Sequence, residues 1–264
     1  MTKTHAAPRS SLARESMLFA GQLLTHWRRG PAVTVQAVLL PTFLLIMYQL
    51  LVGKSIFQMT GSNSIYGLVP ACAVAGAMFG ALAAGLSIPL ERDRGLLSQL
   101  WLLPVRRASA LTGRLLAEAA RTLVGSLVIT CVGVGLGLRF DGSWLAVIAF
   151  MLVPVLVVVI FSMAVIAIAV RSKRGAVLVW FGVPAISMAF ASAGAPPIDA
   201  LPTWVQPLVR FQPMSSTIEV MRGLAEGGPV LQPFLICAAW AVGLAAVIAP
   251  VAIRGYRAAA ESGH

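Results

Sequence analysis

Residues 144–170 read WLAVIAFMLVPVLVVVIFSMAVIAIAV, and this stretch decides the fold class. It contains no charged residue, and as an α-helix it is long enough to cross the ~30 Å of hydrocarbon in a bilayer. Its apolar side chains follow one another without the alternation that a membrane β-barrel requires. Because lipid offers the backbone no hydrogen-bond partners, a span of this kind must be helical. The sequence therefore predicts an all-α membrane protein.

The composition of the whole chain agrees with a membrane location. Of the 264 residues, 58% are hydrophobic and only 11% are charged, and the mean hydropathy is +0.87. Soluble proteins carry about 25% charged residues, so a water-soluble globule is excluded. The formal net charge of +11 sits in short clusters between apolar runs, which is typical of cytoplasmic loops and not of a nucleic-acid-binding surface.

Five further apolar runs have spanning length. The six predicted transmembrane helices are residues 31–53, 65–90, 115–138, 144–170, 176–192 and 231–253. They form one transmembrane domain, 31–253, between a cytoplasmic N-terminal segment, 1–30, and a cytoplasmic tail, 254–264. Fifteen Lys and Arg residues fall on one side of this arrangement and four on the other. By the positive-inside rule, both termini lie in the cytoplasm. The excess of arginine over lysine, with many alanines, valines and glycines, suggests a GC-rich genome, so we expect a bacterial plasma membrane.

The N-terminal segment carries its own helical pattern. Residues 11–29 read SLARESMLFAGQLLTHWRR, with apolar side chains at roughly helical spacing beside three arginines. This pattern favours a helix lying in the membrane interface. A frayed tail is the alternative.

Glycines four residues apart occur in two of the predicted spans. Gly76 and Gly80 lie in the second span, and Gly133 and Gly137 lie in the third. Small residues at this spacing let membrane helices approach closely.

Glu118 and Arg121 are the ionisable residues that the predicted topology places within the bilayer. Because they are three residues apart, they share a helix face. Two interpretations stay open. The two residues form a local ion pair near the cytoplasmic end of the third span, or they are a polar point in a translocation path.

The sequence offers little chemistry of its own. Gly53-Lys54-Ser55 resembles the end of a phosphate-binding loop, but Tyr48 stands where the first glycine is required. Metal-ligand spacings, nucleophile motifs and paired carboxylates are absent from the sequence, and the three cysteines lie inside apolar runs. We therefore expect no catalytic site and no metal site, and hence a transporter without its own nucleotide site instead of an enzyme.

One cytoplasmic loop departs from this pattern. Residues 91–104, ERDRGLLSQLWLLP, join the second and third spans. After four charges comes a short, almost entirely apolar helix, which Pro104 ends. Such a helix must bury itself against lipid headgroups or in a groove on a soluble partner. Glu91 and Asp93 favour the partner, because acidic side chains are costly at an anionic membrane surface.

Three segments together resemble one family, the permease subunits of type-2 ATP-binding-cassette exporters of the daunorubicin-resistance type. Glu91-x-Asp93-x-Gly95 is similar to the family's acidic-x-acidic-x-glycine signature, with Asp in place of the commoner Glu. Residues 100–118 resemble the family's stretch directly after that signature, and residues 201–229 resemble the outer segment before the last span. The resemblance covers nearly the whole chain.

The resemblance implies a coupling helix at 91–104 that docks on a separate ATPase. Its contact residues would be Glu91, Asp93, Gly95, Leu96, Leu100, Trp101 and Pro104. ATP and Mg²⁺ would bind to that ATPase, and this chain would bind no cofactor. The implied partners are two ATPase subunits, a second permease, identical or related, and the lipid bilayer. The implied substrate is a hydrophobic antibiotic such as an anthracycline, or a complex lipid.

The outer segment, 195–230, is rich in proline and in apolar residues. Ser216-x-x-Glu219 reads as a capping box that starts a helix continuing to Ala225. We expect short helices that dip back into the outer leaflet, with a solvated loop as the alternative. The outer-gate candidates are Trp204, Pro213, Glu219 and Arg222.

Two other functions fit a chain of this class. An ion-coupled secondary exporter needs ionisable groups at mid-membrane, where only Glu118 and Arg121 are near candidates. A membrane-embedded lipid-modifying enzyme needs carboxylates or histidines clustered at one face, and the sequence shows no such cluster.

Overall fold

A computed structural model describes residues 12–30, 32–51, 53–60, 63–93, 107–172, 175–191, 203–204, 206–207 and 212–261. Within these ranges there are nine α-helices and no strand, so the all-α prediction is confirmed. The helices are α1 (Leu12–Arg29), α2 (Ala32–Leu51), α3 (Gly53–Thr60), α4 (Ile65–Asp93), α5 (Arg107–Gly135), α6 (Trp144–Arg171), α7 (Ala176–Ala191), α8 (Pro213–Glu226) and α9 (Leu231–Glu261).

Four of the described helices are long and apolar enough to cross a membrane. They are the parts of α4, α5, α6 and α9 at Ile65–Pro89, Leu111–Gly135, Trp144–Arg171 and Leu231–Ala252. The first and fifth predicted spans contain shorter apolar stretches, Ala37–Leu51 in α2 and Ala176–Phe190 in α7. At 1.5 Å per residue, the 16 residues of α7 measure about 24 Å. Four spans are therefore supported by length and composition, and the six-span topology stays a prediction.

Helix α4 is the centre of the molecule. It packs against α2, α5, α6, α7 and α8, and its span is the most deeply buried of the four. Its sequence explains this position, because the stretch from Pro70 to Gly85 consists largely of alanine and glycine. Small side chains let several neighbours pack closely around one helix.

The glycines predicted to allow close approach do so at three of their four positions. A Cβ at Gly76 would lie 3.2 Å from the carbonyl oxygen of Ala37, one at Gly133 would lie 2.7 Å from Val69 Cγ2, and one at Gly80 would collide with α5. The prediction is wrong for Gly137, which follows the end of α5 with a φ of +114°. That conformation favours glycine, and it ends the third span at residue 135 instead of 138.

Two helices extend beyond the predicted spans. α5 begins at Arg107, well before the predicted start at residue 115, and α9 continues to Glu261, beyond the predicted end at residue 253. The added part of α5, RASALTGR, contains strong helix formers. A search for apolar runs finds only the lipid-facing part of such a helix.

The N-terminal pattern forms a helix, α1, and not a frayed tail. α1 packs along the first half of α5, where the hydroxyls of Ser16 and Thr112 are hydrogen-bonded at 2.5 Å. Glu15 and Ser16 are buried, whereas Met17 and Leu18 are exposed. One face of α1 is therefore committed to α5. A position in the membrane interface stays a prediction.

The connection between α2 and α4 contains a short helix, α3, that was not predicted from the sequence. Beside it, Ser64 Oγ donates a hydrogen bond of 3.2 Å to Gln49 Oε1. This bond fastens the C-terminal end of α2 to the start of α4.

Candidate functional site

The predicted coupling segment lies between α4 and α5. Glu91 and Asp93 belong to the last turn of α4, but their side chains lie outside the described residues. The other predicted coupling residues also lie outside the described ranges: Gly95, Leu96, Leu100, Trp101 and Pro104. The structure therefore gives the two helices that flank this segment, and the coupling role stays a prediction.

These two flanking helices are tied together close to the segment. Arg114 of α5 donates through Nη2 to Ser87 Oγ at 3.0 Å and to the carbonyl oxygen of Ala84 at 3.5 Å, both on α4. Ser87 Oγ in turn donates to the Ala84 carbonyl at 2.8 Å. Hydrogen bonds from a charged donor are about twice as strong as neutral ones. These bonds hold the end of α4 against the first part of α5.

Glu118 and Arg121 form an ion pair within α5, between Glu118 Oε2 and Arg121 Nη2. The two side chains are 2% and 5% exposed, and they lie in the part of α5 that has spanning character. Burying charges is costly unless they pair, so each residue depends on the other. The geometry matches the local-pair interpretation, and a role in transport stays a prediction.

Arg121 also contacts two other helices. Its Cζ lies 4.8 Å from the ring centroid of Trp27, which is at the end of α1. The guanidinium also lies close to Gly80 of α4, where a Cβ would collide with it. Helices α1, α4 and α5 thus converge on one buried cation.

A set of buried hydroxyls on α5 was not predicted from the sequence. Thr122, Ser126 and Thr130 are 2–4% exposed. Together with Glu118 they recur every four residues, which is the signal that could have found them. The contacts of Trp27 and Gly80 with Arg121 were not predicted, because they join distant parts of the chain.

An apolar groove of about 410 Å³ lies between α6, α7, α8 and α9. Met214 and Thr217 line its α8 end, and Val247 and Val251 line its other end. At that other end, Arg171 Nη2 donates to the carbonyl oxygen of Val251 at 3.0 Å, joining α6 to α9. The described lining carries no charged side chain, so the groove suits a hydrophobic molecule or an acyl chain.

The outer segment contains a helix, α8, but the predicted capping box is wrong. The helix begins at Pro213, with Gln212 at the N-cap position, because proline is pre-organised for the first helical position. Ser216 therefore lies inside the helix and donates to the Pro213 carbonyl oxygen at 3.0 Å.

Three of the four outer-gate candidates lie on α8 and the fourth, Trp204, precedes it, and their role in a gate stays a prediction. Pro213 starts α8 and lines the groove, Glu219 is exposed, and Arg222 is half-buried. Trp204 lies in a turn and is 77% exposed. Much of α8 is buried against its neighbours, so a solvated loop is wrong for this part of the segment.

Metal-binding clusters are not seen in the described part of the chain. No three His, Cys, Asp or Glu side chains there lie close enough to share an ion. Cys72 and Cys237 are buried free thiols, and Cys131 is an exposed one.

Comparison with known families gives one match that covers most of the chain. Residues 16–225 match the family described as "ABC-2 type transporter". The matched region begins in α1 and extends into the last turn of α8. It includes the hydrogen bonds of Arg114 between α4 and α5 and the Glu118–Arg121 ion pair.

Individual relatives extend over nearly the full length. The chain is 35% identical over 246 residues to the "Probable doxorubicin resistance ABC transporter permease protein DrrC" of Mycobacterium tuberculosis, covering 93% of this chain and 89% of that protein. It is 27% identical over 249 residues to the "Daunorubicin resistance ABC transporter permease protein DrrB1" of Streptomyces coeruleorubidus, covering 89% and 85%. It is 22% identical over 214 residues to the "Putative transport permease ycf38" of Cyanophora paradoxa, covering 80% and 74%.

Proposed function

The chain belongs to the ABC-2 type transporter family, as a permease subunit of an ABC exporter, and we propose that it moves a hydrophobic, membrane-partitioned substrate outward. The substrate class that we propose is an anthracycline-like antibiotic or a complex lipid. ATP and Mg²⁺ bind to a separate cytoplasmic ATPase, and two ATPase subunits serve a pair of permeases, identical or related.

The observation that carries this proposal is the link from Arg114 to Ser87 and Ala84. It ties α4 to α5 on either side of residues 94–106, and α4 packs against five other helices. An ATPase that pushes on residues 91–104 therefore moves α4 and α5 as a unit, and α4 passes the displacement to the rest of the bundle. A permease without its own nucleotide site requires this kind of transmission.

The apolar groove supports a hydrophobic substrate. Its described lining is uncharged, and it runs between α6 and α9 from Val251 to Pro213. A compound already dissolved in the bilayer can enter such a groove with little cost of desolvation, because neither the compound nor the groove holds bound water tightly.

The topology that we propose has six spans, with both termini in the cytoplasm of a bacterium. Residues 54–64 and 195–230 then face outward, and residues 91–107 and 171–175 face inward. Glu226→Cys, which replaces an exposed side chain at the end of α8 in a chain without other cysteines, tests this arrangement with a membrane-impermeant thiol reagent. Labelling from the outside supports the topology, and labelling only from the cytoplasmic side contradicts it.

The experiment that tests the function is purification of the permease from its membrane together with the proteins that it binds. We expect a cytoplasmic ATPase to co-purify, and doxorubicin or a complex lipid to stimulate its ATP hydrolysis in liposomes. A permease that purifies without an ATPase, and transports doxorubicin only along a proton gradient, would contradict the proposal and favour an ion-coupled exporter.

A further inference from the structure

Helix α5 carries a line of buried polar atoms that the coupling mechanism does not use. Five of its atoms have no hydrogen-bond partner among the described residues: Glu118 Oε1, Arg121 Nη1, Thr122 Oγ1, Ser126 Oγ and Thr130 Oγ1. Residues four apart form one ridge on a helix. We call Glu118, Thr122, Ser126 and Thr130 the polar ridge. At 1.5 Å per residue it is about 18 Å long, more than half of the ~30 Å of hydrocarbon in a bilayer.

Other hydroxyls of the same chain show how a membrane helix usually satisfies such groups. Thr42 donates to the carbonyl oxygen of Val38 at 2.7 Å, and Ser187 donates to that of Val183 at 2.9 Å. Both bonds return to the residue four positions earlier, which is the common solution for Ser and Thr in helices. The hydroxyls of the polar ridge do not make this bond, although an unpaired buried polar group is costly.

A small cavity lies beside the ridge, where α2, α4 and α5 meet. Its volume is about 10 Å³, and Arg121, Thr122 and Ser126 line it. Each of these three residues contributes one of the unpartnered atoms. The other walls are mostly small residues, Ala37, Ala73, Gly76, Ala77 and Gly125 among them. A buried water needs roughly 10–15 Å³ and two to four polar partners. This cavity is at the lower limit of that volume, which allows a single water, and three polar side chains line it.

We propose that the polar ridge is a water-binding site inside the bundle, with a water molecule held by Arg121 Nη1, Thr122 Oγ1 and Ser126 Oγ. The remaining unpartnered atoms of the ridge, Glu118 Oε1 and Thr130 Oγ1, are the further positions for water at its two ends. The ligand class is water, or a polar group of similar size. Such a site would ease movement of α5 against α4, because a water molecule can change its hydrogen-bond partners as the helices shift. Tightly interlocked apolar side chains resist the same shift.

Thiol proton exchange tests this proposal with a probe as small as water. The full permease with its ATPase, in liposomes, carries a single cysteine that replaces Ser126, after removal of Cys72, Cys131 and Cys237. Transfer to heavy water converts S–H to S–D, which the infrared S–H band reports. The matched control is Leu127→Cys in the same background, at nearly the same depth on the exposed face of α5.

Exchange needs water, since a thiol in apolar surroundings hardly ionises. We expect Ser126→Cys to exchange at least ~10-fold faster than Leu127→Cys. Equal or slower exchange at position 126 would overturn the proposal. If Ser126→Cys does not assemble, Thr130→Cys with Cys131 removed replaces it. Its control is the protein that keeps native Cys131 as its single cysteine. That thiol lies on the outside of the bundle, where it faces lipid, so it should again exchange more slowly.

Discussion

Trp27 and Arg121 are joined by a cation–π contact, in which Arg121 Cζ lies 4.8 Å from the centroid of the Trp27 ring. The contact connects α1, which precedes the predicted spans, to the middle of α5. Because Arg121 also pairs with Glu118, the tryptophan covers a cation that is already buried. The N-terminal helix therefore contacts the buried Glu118–Arg121 ion pair inside the bundle.

Removing the tryptophan ring should loosen α1. A cation–π contact with a desolvated cation contributes about 1–2 kcal/mol, so Trp27→Ala should lower the free energy of unfolding by at least this amount. Thermal unfolding of the purified permease measures the loss. The control is Trp180→Ala, since Trp180 is 80% exposed on α7. Equal losses for the two variants would show that the contact with Arg121 contributes nothing particular.

The Glu118–Arg121 pair should show strong coupling. Glu118→Gln leaves a buried cation without its carboxylate, which typically costs about 3–5 kcal/mol. The double variant with Arg121→Gln should recover part of that loss, because no charge is then left unpaired. A double-mutant cycle in unfolding free energy measures the coupling. A coupling energy near zero would show that the Glu118–Arg121 ion pair does not stabilise the protein.

Gly113 should be essential for the docking of α1. A Cβ at this position would lie 2.9 Å from the carbonyl oxygen of Ser16 and 2.6 Å from Phe19 Cβ, and the backbone of α1 cannot yield easily. Gly113→Ala should therefore cost about 1–3 kcal/mol of stability and expose α1 to limited proteolysis.

The matched control for this substitution lies on α1 itself. A Cβ at Gly21 would meet no atom of the described residues within 4 Å. Gly21→Ala should be neutral or slightly stabilising, because alanine is the better helix former. If Gly113→Ala were as harmless as Gly21→Ala, the close packing of α1 on α5 would be wrong.

Filling the apolar groove should reduce the response to substrate. Ala241 lines the groove on α9, whereas Ala239 is exposed and is not among the described lining residues. Ala241→Phe should lower the doxorubicin-stimulated part of ATP hydrolysis and leave the basal rate unchanged. The larger side chain occupies the groove but does not touch the Arg114 hydrogen bonds between α4 and α5. Ala239→Phe should leave both unchanged. Equal stimulation in the two variants would place the substrate elsewhere.

The sequence predicts the fold class and the local contacts of this protein well. Uncharged runs of spanning length predict helices, and the three-residue spacing of Glu118 and Arg121 brings them together on α5. These predictions succeed because hydropathy and helix periodicity act within a single segment.

The remaining features depend on competition or on distant contacts. The start of α8 was misplaced because Pro213 is a stronger start signal than the Ser216–Glu219 capping box. The contacts of Trp27 and Gly80 with Arg121 connect residues that are far apart in the chain, so no local pattern encodes them. The polar ridge was in principle readable, since its spacing of four is visible in the sequence.

Docking of residues 91–104 on an ATPase is tested most directly by co-purification of the ATPase with the Trp101→Ala and Glu91→Ala permeases. Large apolar groups and charge-assisted hydrogen bonds dominate small interfaces, so we predict that each variant stays in the membrane but retains roughly 10-fold less ATPase. Substrate-stimulated ATP hydrolysis should fall in parallel, and Trp204→Ala, in the outer segment, should bind the ATPase normally. Unchanged ATPase binding and hydrolysis in both Trp101→Ala and Glu91→Ala would contradict the account and leave the segment resting on lipid.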